Sequence, residues 1–200
     1  MSSRLTIIVA ATKSNGIGQN SKLPWRLAKE MAYFARVTTN APAGVSNAVI
    51  MGRNTWESIP TKFRPLKSRV NIVVSRNASF DVGPARLEGS LEAAITRMKA
   101  EEPQVSRGFI IGGASLYAES LALPSSSSVG FVDRILLTRI LSPTFDECDV
   151  FMPDFLDGTN DGWERAAHDA LEAWVGFEVA EGVQEENGVK YEFQMWVRQS

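Results

Sequence analysis

The sequence predicts an α/β fold: a single domain over residues 1–200 with a mainly parallel central sheet, helices on both faces, and an antiparallel hairpin at the C-terminal end. First, short and continuously apolar runs alternate with stretches of 3.6-residue periodicity. Strands without polar alternation are typical of parallel sheets that are covered on both faces. Second, Asn187-Gly188 separates two extended runs, at 174–183 and 189–197, and Asn-Gly in this position is the strongest short hairpin signal.

The apolar runs give the predicted strands, and the periodic stretches give the predicted helices. Glycine and proline end most of them, and Ser90 has the chemistry of a helix N-cap. We expect strands at 5–12, 48–51, 70–74, 108–111 and 131–140, helices at 25–38, 53–58, 91–100 and 114–121, and a loop at 13–24.

Composition and charge exclude several classes of function. Of the 200 residues, 44% are hydrophobic and 22% are charged, as in an ordinary globular domain. The net charge of −2 gives no support for nucleic-acid binding. The one cysteine, Cys148, excludes an internal disulfide and suits a reducing compartment, so we expect a cytoplasmic location. The one histidine, His168, argues against a histidine triad or metal centre; we expect no metal site and no membrane-spanning segment.

Glycines and cations follow three of the predicted strands. Gly112-Gly113 links a strand to a helix, Gly52-Arg53 does the same, and Ser75-Arg76 ends a third strand. In a parallel sheet these ends lie at one edge, where backbone N–H groups and helix N-termini bind phosphates. The set predicts a site for a phosphorylated dinucleotide, and Arg76 beside Ser75 favours NADPH over NADH. The alternative is tight turns and solvated arginines, since neither G-x-G-x-x-G nor a Walker A pattern is present.

Glu30 lies beside an apolar helical stripe formed by Leu27, Met31, Phe34 and Val37. A carboxylate in that position either turns outward to solvent or is buried and needs a partner that donates hydrogen bonds. The sequence alone leaves both alternatives open.

The segment 58–69 mixes apolar and basic residues in a predicted loop. Ile59, Phe63 and Leu66 are candidates for lining a pocket, and Arg69 for binding an acidic group through two hydrogen bonds. Alternatively, Arg69 opens a strand and faces water. The acidic cluster at 146–149 has too few ligands for a calcium loop and predicts capping or surface charge.

Short motifs along nearly the whole chain resemble, in order, those of dihydrofolate reductases of the eukaryotic type, and are most similar to fungal members. Each motif alone is weak, but their order is specific. They are Ile8-Val9-Ala10, Gly16-Ile17-Gly18, Leu23-Pro24-Trp25, Glu30, Tyr33-Phe34, Val49 to Arg53, Thr55-Trp56, Ser58-Ile59-Pro60, Arg64-Pro65-Leu66, Ser75-Arg76, Ile110 to Gly113, Tyr117, Thr138-Arg139, and Asp149-Val150-Phe151 with Pro153.

The resemblance implies reduction of 7,8-dihydrofolate to tetrahydrofolate by hydride transfer from NADPH. Glu30 would anchor the pterin with Thr138 as its hydroxyl partner, and Leu23 would gate the water that brings a proton to N5, beside Trp25. Arg69 would bind the glutamate tail, and 13–24 would be a mobile loop. The other implied substrate residues are Ile8, Val9, Ala10, Met31, Phe34, Ile59, Phe63, Leu66, Ile111 and Tyr117. The implied cofactor residues are Ala10, Ile17, Gly18, Gly52, Arg53, Asn54, Thr55, Ser75, Arg76, Ile111, Gly112, Gly113, Ala114, Ser115, Leu116 and Tyr117.

The resemblance also implies cis peptide bonds at Arg64-Pro65 and Gly112-Gly113, a monomer, binding of antifolate inhibitors, and a role in one-carbon metabolism for thymidylate, purine and glycine synthesis. Three positions depart from the family pattern. Met31 replaces an aromatic residue of vertebrate members. Asn54 and Gly89 stand where basic residues are common, which weakens the expected preference for NADPH. Two other classes stay open: a pyrimidine reductase of flavin biosynthesis on a related fold, and a non-catalytic folate- or nucleotide-binding module.

Overall fold

A computed structural model describes residues 3–101, 104–156 and 162–198. The chain divides into two compact units. The first unit comprises the residues up to Thr6 together with Thr38–Val132, and the second comprises Ile7–Val37 together with the residues from Asp133 onward. The elements in chain order are β1 (Ser3–Thr12), β2 (Gly16–Gly18), α1 (Ala28–Thr39), β3 (Ser46–Gly52), α2 (Arg53–Ser58), a 3-10 turn (Thr61–Phe63), β4 (Arg69–Val74), β5 (Arg86–Glu88), α3 (Leu91–Lys99), β6 (Val105–Ile110), α4 (Ala114–Leu121), β7 (Gly130–Ser142), β8 (Val150–Phe151), β9 (Trp163–Arg165), α5 (His168–Val175), β10 (Gln184–Glu186) and β11 (Val189–Arg198).

The first unit contains the parallel part of the sheet. Its strands lie in the order β6-β3-β4-β5, and each neighbouring pair is parallel. Ile50, Ile72 and Phe109 on these strands are fully buried, as expected for strands covered on both faces. Parallel strands need crossover connections, which is why α2, α3 and α4 fall between strands along the chain.

Helix α3 in the first unit shows how local sequence sets an element. The Ser90 hydroxyl accepts a hydrogen bond from the Ala93 backbone N–H at 3.1 Å, which satisfies one N–H of the first turn. Leu91, Ile95 and Met98 recur at helical spacing and are buried. The predicted N-cap and the predicted helix are therefore confirmed.

The second unit contains the antiparallel strands. The order is β10-β11-β7-β1, with β10–β11 and β11–β7 antiparallel, and β9 also pairs antiparallel with β11. Asn187 and Gly188 both adopt positive φ, 51° and 74°, in the turn of the β10–β11 hairpin. Trp25, Tyr191 and Ile140 belong to one buried apolar cluster of this unit. The α/β class, the mostly parallel sheet and the antiparallel C-terminal strands are confirmed.

Several predicted boundaries are wrong. The run 174–183 is not one extended segment, because α5 covers His168–Val175 and ends at Gly176 with a φ of 80°. Leu171 and Val175 are spaced by one helical turn and are both buried, which favours helix over strand. The helix predicted at 25–38 starts only at Ala28, and the loop predicted at 13–24 contains strand β2, paired with β8.

Candidate active site

Glu30 in the second unit is buried, with 7% of its surface exposed. It lies in the first turn of α1, and Tyr33 and Val37, three and seven residues further along the same helical face, are also buried. Thr138 on β7 is also buried, and its hydroxyl donates a hydrogen bond of 3.0 Å to Glu30 Oε1. Of the two alternatives for Glu30, the structure thus has the buried carboxyl.

Burial dominates the protonation of this carboxyl. It raises the pKa of Glu30 from an ordinary 4.5 to about 7, with the hydrogen bond from Thr138 lowering it and the charge of Glu186 raising it further. A carboxyl with such a pKa exchanges a proton near neutral pH, which is what an acid–base residue needs. The raised pKa of Glu30 also marks this carboxyl as a candidate functional group.

Two further polar atoms of the second unit are buried close to α1. The Trp25 indole Nε1 and the Tyr33 hydroxyl have no hydrogen-bond partner among the described residues. Buried donors are normally satisfied, so the Trp25 N–H is suited to hold a water or a ligand atom. By contrast, Leu23 and Met31 are about half exposed, at 47% and 50%.

The segment 13–24 is tied at its beginning to β1 and β7. The Gly16 backbone N–H donates to Thr12 Oγ1 at 2.8 Å. Arg139 Nη1 donates to the Thr12 carbonyl and, at 2.9 Å, to Asn15 Oδ1. Farther along, the Asn20 N–H donates to Asp149 Oδ2 at 2.9 Å, so one carboxylate of the acidic cluster holds this segment.

In the first unit, the glycine turn after β6 lies against the end of β3. The Gly52 N–H donates to the Gly112 carbonyl at 2.8 Å. Gly112 has a φ of +121°, and a Cβ there would lie 3.1 Å from Thr55 Oγ1, so a side chain would be both strained and crowded. The peptide bonds Gly112-Gly113 and Arg64-Pro65 are cis, as the resemblance implies.

The two helices that follow these glycines begin without a side-chain cap. Neither Gly52 before α2 nor Gly113 before α4 offers a capping group, so the first backbone N–H groups are left for another acceptor. Uncapped N-termini behind glycines fit the phosphates of a dinucleotide. The residues of this unit therefore fit the cofactor that the sequence predicts.

The predicted cationic partners of that cofactor are exposed. Arg53 Nε lies 3.7 Å from Glu57 Oε2, with both side chains about half exposed. Arg76 is exposed, whereas Ser75 is buried and its Oγ accepts from the Asn77 N–H at 3.2 Å. A Cβ at Gly89 would meet no atom within 4 Å, so that position is open.

Arg69 opens β4 and is held in place from two sides. Its Nη1 donates to Thr38 Oγ1 at 2.8 Å, and its Nε donates to the Lys67 carbonyl at 2.9 Å. Partial burial lowers the pKa of its guanidinium, which stays charged at physiological pH. Leu66 next to it is fixed by Asn71, whose Oδ1 accepts from the Leu66 N–H at 2.8 Å.

The other predicted site residues differ in burial. In the second unit, Ile8, Val9 and Gly18 are buried, and Ala10, Ile17 and Phe34 are partly buried. In the first unit, Leu116 and Tyr117 are buried, while Phe63 is 55% exposed. The remaining residues of the first unit are partly buried or exposed: Asn54, Thr55, Ile59, Ile111, Gly113, Ala114 and Ser115.

Sequence analysis does not identify two residues close to the helix that carries Glu30, namely Glu186 and Tyr191. Glu186 accepts hydrogen bonds from the Lys29 N–H at 3.1 Å and from the Tyr191 hydroxyl at 2.8 Å. The pattern around Glu186 signals only a hairpin, and a contact across 157 residues leaves no local signal.

Among the described residues, no group of three or more His, Cys, Asp or Glu side chains is arranged to hold a metal ion. Within the same ranges, no helix has the length and apolar character to cross a membrane.

The described elements define an α/β protein, and the buried Glu30 carboxyl, with its raised pKa, is the kind of group that acid–base sites contain. The family model described as dihydrofolate reductase matches residues 4–198. The dihydrofolate reductase of Cryptococcus neoformans is 45% identical, covering 96% of this chain and 94% of its own length, and that of Pneumocystis carinii is 44% identical, covering 97% and 96%. The structure of Schistosoma mansoni dihydrofolate reductase aligns with a TM-score of 0.79 at 37% identity over 100% of both chains. The chain belongs to the dihydrofolate reductase family, whose members are NADPH-dependent oxidoreductases.

Proposed function

We propose that the protein reduces 7,8-dihydrofolate to 5,6,7,8-tetrahydrofolate with NADPH. The observation that carries the proposal is the buried Glu30 carboxyl, hydrogen-bonded to Thr138, in a chain of this family. A buried carboxyl is costly unless a ligand or cation matches it. The 2-amino and N3 edge of a pterin offers two parallel N–H donors, which is the geometry a carboxylate accepts best.

Glu30 and a water together bring the proton to N5 in this proposal. Glu30 binds the far edge of the pterin, so a water delivers the proton, and the Leu23 side chain controls its entry. The unpartnered Trp25 indole N–H is the donor we assign to that water. The pKa of Glu30, about 7, lets the carboxyl take up a proton from solvent at physiological pH.

NADPH, when bound, supplies the hydride that pterin C6 accepts. We assign its phosphates to the uncapped starts of α2 and α4, where Gly52, Gly112 and Gly113 allow close approach of the backbone. Thr55 packs against Gly112, and Ser75 with Arg76 takes the 2′-phosphate end. The segment 13–24 excludes water from the nicotinamide.

Arg69 is the residue we assign to the glutamate tail of the substrate. Its two hydrogen bonds, to Thr38 and to the Lys67 carbonyl, fix the guanidinium plane before a ligand arrives. A fixed guanidinium binds a carboxylate through two parallel hydrogen bonds at a lower entropic cost. Ile59, Phe63 and Leu66 provide the apolar contacts beside it.

At the level of the cell, we propose one dihydrofolate reductase domain over residues 1–200 that works as a cytoplasmic monomer. Its product supports one-carbon metabolism for thymidylate, purine and glycine synthesis, and antifolates compete for the same pocket. The likeness to dihydrofolate reductases over almost the whole chain supports the single domain. The division into two compact units concerns packing within it.

The direct test is NADPH oxidation, followed by absorbance with and without dihydrofolate. Oxidation that depends on dihydrofolate supports the proposal. If calorimetry shows both ligands binding without oxidation, the protein is a binding module; if only a pyrimidine substrate is reduced, it is a different reductase.

The variant Glu30→Gln tests the carboxyl: we expect kcat/KM near neutral pH to fall by about a hundredfold or more, with partial recovery in acid. Activity equal to that of the wild type at neutral pH would refute the assignment of Glu30.

A further inference from the structure

The turn of the C-terminal hairpin reaches the start of the helix that carries Glu30. Both Glu186 carboxylate oxygens lie 3.1 Å from the Lys29 backbone N–H, which donates to them. On the next residue, Asn187 Nδ2 donates to the Arg26 carbonyl at 2.8 Å. The hairpin turn thus binds the chain just before α1 and in its first turn.

This contact supplies a cap that the helix lacks in its own sequence. The first N–H groups of a helix have no partner within the helix, and its N-terminus carries a partial positive charge. The Glu186 carboxylate meets both needs from 157 residues away. Tyr191 on β11 fixes that carboxylate in turn, since its hydroxyl donates to Glu186 Oε2 at 2.8 Å.

We infer that Glu186 is a positioning residue for Glu30: it holds the first turn of α1 where the Glu30 carboxyl meets Thr138, and it adds a negative charge at the start of the helix that carries this carboxyl. The inference rests on the proposed function only for its consequence in catalysis. The contacts of Glu186 with Lys29 and Tyr191 do not depend on the proposed function.

Charge balance around the two carboxyls supports the inference. Burial alone would raise the pKa of Glu186, but hydrogen bonds from Lys29, Tyr191 and Ala28, and the charge of Lys29, lower it below its ordinary value. Glu186 is therefore ionised at neutral pH, and its charge raises the pKa of Glu30.

Two phenols among the described residues also interact with the Glu30 charge. Tyr33 on α1 and Tyr191 on β11 both have pKa values raised chiefly by burial, with a contribution from the Glu30 charge, so both stay neutral. Thr138 on β7 does not titrate. Of Thr138, Tyr33, Tyr191 and Glu186, only Glu186 is charged at neutral pH.

The experiment is a side-chain carbon NMR titration of Glu30 in the ligand-free protein, with its signal assigned by loss in Glu30→Gln. In Glu186→Gln, which keeps an acceptor oxygen for the Lys29 N–H, we expect the Glu30 midpoint to move down by on the order of half a pH unit. The control Glu185→Gln removes an exposed charge of the same sign one residue away and should leave the midpoint in place. An unchanged midpoint in folded Glu186→Gln overturns the inference, as does an equal shift in the control.

A second variant separates the charge from the cap. Glu186→Asp keeps the charge but shortens the side chain, so the Glu30 midpoint should stay within a few tenths of a unit while amide hydrogen exchange at Lys29 speeds up about tenfold or more. Unchanged exchange would refute the capping role. This variant also tests the inference if Glu186→Gln fails to fold.

Activity then tells this inference apart from the proposed function. If Glu30 acts in its protonated form, Glu186→Gln should move the alkaline limb of the kcat/KM profile to lower pH by the same amount as the NMR midpoint. A shifted midpoint with an unshifted profile would leave the coupling in place and refute the catalytic role of Glu30. An unshifted midpoint with normal turnover would refute the coupling alone.

Discussion

Replacing Glu30 by glutamine should make the ligand-free protein more stable at alkaline pH while it removes most of the activity. The pKa of Glu30 rises from 4.5 to about 7 on folding, chiefly through burial. One pKa unit corresponds to about 1.4 kcal/mol, so ionisation of this carboxyl costs the folded protein roughly 3 kcal/mol. Because only 7% of the residue is exposed, solvent screening removes little of that cost.

The sign follows from proton linkage. A carboxyl whose pKa is raised by folding stabilises the folded state in its protonated form, fully below about pH 4.5, and this stabilisation is lost as the pH rises through about 7. Glutamine has no such loss and still accepts the hydrogen bond from Thr138. The free energy of unfolding of Glu30→Gln, relative to wild type, should therefore rise by about 2–3 kcal/mol between about pH 5 and about pH 8.

Urea unfolding followed by tryptophan fluorescence at the two pH values measures this difference. No folate is present, since a bound pterin would pair with the charged form. The control is Glu119→Gln, which changes an exposed carboxylate on α4 and should shift stability by the same small amount at both pH values. If the difference between Glu30→Gln and wild type does not change with pH, burial does not impose on Glu30 the cost of ionisation that its raised pKa implies.

Three other substitutions test separate parts of the site. Arg69→Leu should raise KM for dihydrofolate by about ten- to a hundredfold, because the fixed guanidinium is lost, while leaving KM for a pterin without the glutamate tail nearly unchanged. Gly112→Ala should weaken NADPH binding in calorimetry by about tenfold or more, because its φ of +121° and the Thr55 hydroxyl at 3.1 Å exclude a side chain. Gly16→Ala should lower the free energy of unfolding by about 1–3 kcal/mol, because the new Cβ would lie 2.7 Å from Cys148 Sγ.

Each of these three has a matched control at another position of the chain. Lys67→Leu removes an exposed cation close to Arg69 and should affect both substrates alike. Gly83→Ala also has positive φ, 55°, but open space around it, so NADPH binding should persist. Gly18→Ala meets its nearest atom at 3.5 Å, an ordinary contact, and should cost less than Gly16→Ala. A test variant that behaves like its control contradicts the reasoning for that position.

The elements that can be predicted from sequence are those whose signal is local. The continuous apolar strand around Ile50 and the Asn187-Gly188 turn are specified by residues next to each other, and both are confirmed. Strands β2, β5, β8 and β9 are only two or three residues long, too short for any period to register. The α5 helix escapes prediction because its two buried residues, Leu171 and Val175, are too few to outweigh the apolar run after them.

For the candidate site, too, the features with a local signal can be predicted from sequence, and those that depend on distant residues cannot. Glycines before helix starts are visible as a pattern, so the turn at Gly112 can be anticipated from sequence. Burial of Glu30 is not decidable from sequence, because it depends on Thr138 from a strand more than a hundred residues away. The cap from Glu186 depends on a still longer separation and has no local signal.

Strand β7 makes hydrogen bonds to two parts of the second unit, α1 and the segment that follows β1. Neighbouring residues of a strand point to opposite faces, so Thr138 reaches the Glu30 carboxyl while Arg139 reaches the Thr12 carbonyl and Asn15. A displacement of β7 would change both contacts together. Redesign of the 13–24 segment, in length or sequence, should therefore retain Asn15 as the partner of Arg139, because losing that contact would loosen the strand that orients the carboxyl.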